Sequence, residues 1–60
     1  MVNDKGTLWY IEVDNMPVAD YDNAEAARKA AQAIAKASQQ DRLIKVFRLV
    51  PGRTPEEIMW

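Results

Sequence analysis

Residues 43–50, Leu-Ile-Lys-Val-Phe-Arg-Leu-Val, carry apolar side chains on both faces of an extended strand. Side chains alternate along a strand, so Ile44, Val46 and Val50 point one way while Leu43, Phe47 and Leu49 point the other. Such a strand needs cover on each side. Residues 8–13 are rich in aromatic and β-branched types and read as another strand, with Trp9, Ile11 and Val13 on one face and Leu8, Tyr10 and Glu12 on the other. Asp14-Asn15-Met16-Pro17 interrupts it with turn-forming residues, and a short strand through Val18 to Tyr21 folds back to complete a hairpin over 8–21. Pro17 has no N–H to donate, which suits a strand start or a sheet edge.

A helix over 23–39 follows. Asp22 is a suitable N-cap, and Glu25 three residues on is placed to complete a capping box. At 100° per residue, Glu25, Arg28, Lys29, Gln32, Lys36, Gln39 and Gln40 fall within one arc of about 120°. The remaining positions from Ala24 to Ser38 are alanine, Ile34 and Ser38. An alanine-lined face is smooth and lets a helix approach a sheet closely, while the sheet supplies the volume. Pro51-Gly52 ends the strand at 43–50. Thr54-Pro55-Glu56-Glu57 carries helix-start signals, so a short helical turn is expected at 55–60.

These elements predict a single α+β domain, a small two-layer ββαβ fold. Its three-stranded antiparallel sheet has the order 2-1-3, with one Ala-rich helix on one face and a short C-terminal helical turn. Residues 1–7 read as a loose lead-in. The helix shields Trp9, Ile11, Val13, Ile44, Val46 and Val50. The other face is left with Leu8, Tyr10, Leu43, Lys45, Phe47 and Leu49, and within the chain only Ile58, Met59 and Trp60 remain to cover it.

Composition narrows the chemistry. Sixty residues without cysteine or histidine exclude disulfides, thiolate metal sites and a cysteine nucleophile or histidine base within this chain. Asp20, Asp22, Asn23 and Glu25 form an acidic cluster, but they lack the glycine and the twelfth-position glutamate of a calcium loop. Capping accounts for them better. No carboxylate pair suggests acid–base work, and the two glycines are isolated, so neither an enzyme, a cofactor, a metal nor a small-molecule substrate is expected. Nothing approaches a membrane span of about 20 apolar residues, and a cytoplasmic protein is the expectation.

The net charge is −1, but the signs segregate: residues 1–27 hold six acids against Lys5, and 28–53 hold seven bases against Asp41. Such a split steers charged partners. The leading expectation is therefore a non-enzymatic protein–protein interaction module, either self-associating or engaging a larger protein. Its candidate binding residues are Leu8, Tyr10, Leu43, Lys45, Phe47, Leu49 and Trp60. A sheet with one helix is an architecture shared by many small bacterial and phage proteins, some of which regulate or inhibit a host enzyme; no motif here carries that likeness further. Single-stranded nucleic-acid binding is the alternative, with Tyr10 and Phe47 stacking bases while Lys45 contacts phosphate.

Overall fold

The computed structural model describes residues 6–38 and 42–60. Five elements occur in the order β1 (Leu8–Val13), β2 (Met16–Tyr21), α1 (Ala24–Ala37), β3 (Ile44–Leu49) and β4 (Glu56–Ile58). The strands form one antiparallel sheet, β2-β1-β3-β4, with α1 over β1, β2 and β3. The α+β class and the 2-1-3 core of the sheet match the sequence reading. A fourth strand stands in place of the helical turn expected at 55–60.

The reason for that correction is physical. A single helical turn is unfavourable to nucleate, and its capping signals are worth only about 1 kcal/mol. The outer edge of β3, by contrast, offers unpaired main-chain groups. Pro51-Gly52 reverses the chain, with Gly52 at φ 81° and the Arg53 N–H donating to the Val50 carbonyl at 3.0 Å. Residues 56–58 then lie against Val46, Phe47 and Arg48, and Glu56 meets Arg48 in a 2.6 Å ion pair.

The β1–β2 hairpin is closed by Asp14 and Asn15, at φ 55° and 69°. Positive φ at both central residues is the signature of a type I′ turn, and Asp and Asn tolerate it better than most residues. Asp14 does more than turn the chain. Its N–H donates to the Leu43 carbonyl at 2.8 Å, and its carboxylate accepts from the Leu43 N–H at 3.2 Å and from Arg42 at 3.3 Å. The hairpin tip is thereby fastened to the segment entering β3.

The helix starts one residue later than expected. Asn23, not Asp22, is the N-cap, extended at φ −148° and accepting from the Ala26 N–H at 2.7 Å. Asn23 in turn donates to Asp22 at 3.3 Å, and Glu25 pairs with Lys29 at 3.4 Å instead of reaching back. Both residues are competent caps, and packing chooses between them, because a start at Ala24 directs Ala27 and Ala31 at the sheet. Ser38 caps the other end through its N–H to the Ile34 carbonyl at 2.8 Å. Gln39, Gln40 and Asp41 lie outside the described residues.

The core is thin. Ile11 and Val46 sit opposite one another on β1 and β3 and are fully buried, as are Ala27 and Ala31, one helical turn apart. Trp9, Val13, Tyr21, Ile34, Ile44 and Ile58 close around them. Val50, expected in the same layer, is half-buried just beyond β3.

Two outcomes follow from this packing. Ala27→Leu or Ala31→Leu should overpack the helix–sheet contact and lower stability by about 1–3 kcal/mol, read as a shift in the urea midpoint at constant m-value. Asp14→Ala forfeits both the left-handed tolerance and the bond to Leu43, and should cost about 2 kcal/mol. Asp14→Asn keeps both and loses only an exposed ion pair, so it should stay within about 1 kcal/mol of the parent. Equal losses in the two variants would refute the clamp.

Candidate binding face of the sheet

Period-two alternation assigns the sheet's second face. Opposite pairs in the registers share a side, so one row runs Asp20, Tyr10, Phe47, Glu57 across all four strands. Leu8 faces Leu49 on one side of that row, and Glu12 faces Lys45 on the other. Tyr10 and Phe47 stack with centroids 5.2 Å apart and planes 20° from parallel. An offset stacked pair contributes about 0.5–1.5 kcal/mol beyond its buried area, and it restrains both rings against each other.

Beside Tyr10 lies a shallow depression of about 520 Å³, with Leu8, Val18 and Leu49 as apolar walls and Glu12 and Asp20 at its rim. Val18 shares this face with Asp20 by alternation, and a bulge beside it brings Pro17 round to oppose Glu12. Ile11 pairs with Ala19 and Glu12 with Pro17, which leaves Val18 extra on β2 and 55% exposed. Leu8, at 39% exposure, and Val18 make the depression the more open part of the face.

Of the residues expected to form a binding surface, Leu8, Tyr10, Phe47 and Leu49 come together here. Lys45 lies one row away, held opposite Glu12. Leu43 is exposed beyond the start of β3, at the end of the face away from Leu8. Trp60 is not part of the group: its indole N–H donates to the Ile44 carbonyl at 3.2 Å. Nor does the tail cover this face. Ile58 packs into the core on the helix side, and Met59 is 89% exposed. Sequence reasoning read the strand through Val18 and Asp20 without fixing its register against β1, and it missed Glu57 because β4 was not recognised.

Burial and, secondarily, the neighbouring Glu12 carboxylate push the Tyr10 phenol above its ordinary value of 10.0. The folded state thus favours the neutral phenol. The stability this contributes is complete below the unfolded value and is lost as pH rises through the folded one.

A second depression, about 630 Å³, lies along the β3–β4 turn, where Arg48 is already engaged by Glu56. Among the described residues no group of acids is placed to hold a metal ion, and no helix is long and apolar enough to cross a membrane.

Glu12→Gln should bring the Tyr10 titration part of the way down towards its ordinary value, leaving the contribution of burial. Tyrosinate absorbance against pH, with Tyr10→Phe to assign the signal, reads it; an unmoved titration would exclude Glu12 as a cause. Compared with protein-family models, curated proteins and solved structures, the chain matches none.

Proposed function

We propose that this protein is a non-enzymatic interaction module whose open sheet face docks a protein partner. The observation that carries the reading is the Tyr10–Phe47 stack with the apolar depression beside it, on a face that none of the described elements covers. The chemistry of the partner follows from the rim. Glu12, Asp20 and Glu57 outnumber Lys45 on this face, so its counterpart is an apolar side chain flanked by lysine or arginine. Aromatic side chains held rigid by stacking are effective anchors, because little rotamer freedom remains to be lost on docking.

The same rim weakens the nucleic-acid alternative. Acids at both ends of the aromatic row and beside Tyr10 repel phosphate, and Lys45 is already opposed by Glu12. A small regulator or inhibitor of a larger protein remains the form of activity that this face suits.

Tyr10→Ser and Phe47→Ser should each weaken partner binding at least about thirtyfold, the scale of a hot-spot truncation of 2 kcal/mol, while circular dichroism stays native. Glu57→Lys should weaken it too, and added salt should slow association with the parent protein. Native-like variants that bind undiminished, or variants that unfold, would remove the basis of the proposal.

A further inference from the structure

The two edges of the sheet are built differently, and the difference follows from which way each main chain faces. The Asp14 N–H bonds the Leu43 carbonyl, so even-numbered residues of β1 and odd-numbered residues of β3 direct their main-chain groups at each other. Val46 and Arg48 therefore face β4, where their partners are Ile58 and Glu56. Glu57, between them, turns its N–H and C=O outward, and one further step of the alternation does the same for Met59.

On the opposite edge, the corresponding outward positions of β2 are interrupted. Pro17 has no N–H, and the bulge at Val18 breaks the spacing that a neighbouring strand needs. The β4 edge carries no proline and no bulge, and α1 makes no contact with it. Among the described residues, one edge is blocked and the other is open.

We propose that β4 pairs antiparallel with β4 of a second copy of this chain, joining the two sheets into one. A two-fold axis normal to the sheet keeps like faces together only if it passes through a residue. Through Glu57, it sets that carboxylate directly against its copy, which is repulsive. Through Met59, it withdraws Glu57 from the pairing. Through Ile58, it matches the outward groups of Glu57 with those of Met59 in the second copy, and the reverse. Ile58 then meets its own copy across a narrow pair on the helix side, extending the core. Glu56 falls opposite Trp60, and the Glu56 carboxylate is already neutralised by its ion pair with Arg48. The helices do not collide, since two uncovered strands, each about 4.8 Å wide, separate them. This edge is distinct from the open face, whose docking role stands or falls independently.

The test is sedimentation equilibrium on the full 60-residue chain at concentrations up to about 1 mM, since a short edge pairing is weak. A dimer is expected, weakened at least tenfold by Glu57→Pro and by N-methylation of the Met59 amide in synthetic chain. N-methylation of the Asp20 amide on the other edge, and Tyr10→Ser on the open face, should leave the dimer intact. A monomer throughout would overturn the proposal, as would a dimer indifferent to the Met59 methyl group or one abolished by Tyr10→Ser. Loss of fold on methylating Met59 would overturn it too, by showing that this amide is already used within the chain.

Discussion

Everything in this domain rests on the contact between two alanines and one cross-strand pair. Ala27 and Ala31 present no side chain beyond a methyl group, which lets α1 sit directly over Ile11 and Val46. With these four alone fully buried among the described residues, the apolar margin is narrow against a cost of roughly 1.5 kcal/mol of conformational freedom for each residue ordered. The peripheral devices are therefore not ornamental. The Asn23 cap satisfies the first turn of α1, the Asp14–Leu43 bonds hold the hairpin tip to β3, and Ile58 closes the core from the outermost strand.

That economy explains the sheet's second face. One helix covers one side, and among the described residues no element lies over the other, where Tyr10 and Phe47 shelter each other by stacking. Partial burial of this kind is what an interface residue needs in the unbound state. It is stable enough to keep its shape, and exposed enough to gain from being covered.

How much of this the sequence discloses depends on the range of the interaction that decides each feature. Strand alternation sorted Leu8, Tyr10, Phe47 and Leu49 onto one face and Trp9, Ile11 and Val46 onto the other, because period two is a local property. The helix was legible for the same reason, through its strict polar stripe. The cap was not, since Asp22 and Asn23 are locally equivalent and only the packing of Ala27 and Ala31 separates them. Strand β4 was hidden further. Thr54-Pro55-Glu56-Glu57 has the local appearance of a helix start, and only the unpaired edge of β3 overrides it. Trp60 is engaged with the Ile44 carbonyl because the tail runs along β3, which no local signal in residues 54–60 discloses.

The segregated charge has a consequence for motion before contact. Arg28, Lys29 and Lys36 outnumber Glu25 on the exposed side of α1, while acids outnumber Lys45 on the sheet side. The domain is nearly neutral but electrically lopsided through its thickness, a transverse dipole. A charged surface within about a Debye length, some 8 Å at physiological ionic strength, exerts a torque on such a body as well as a pull. Towards a cationic surface it turns the sheet forward, and towards an anionic one it turns the helix.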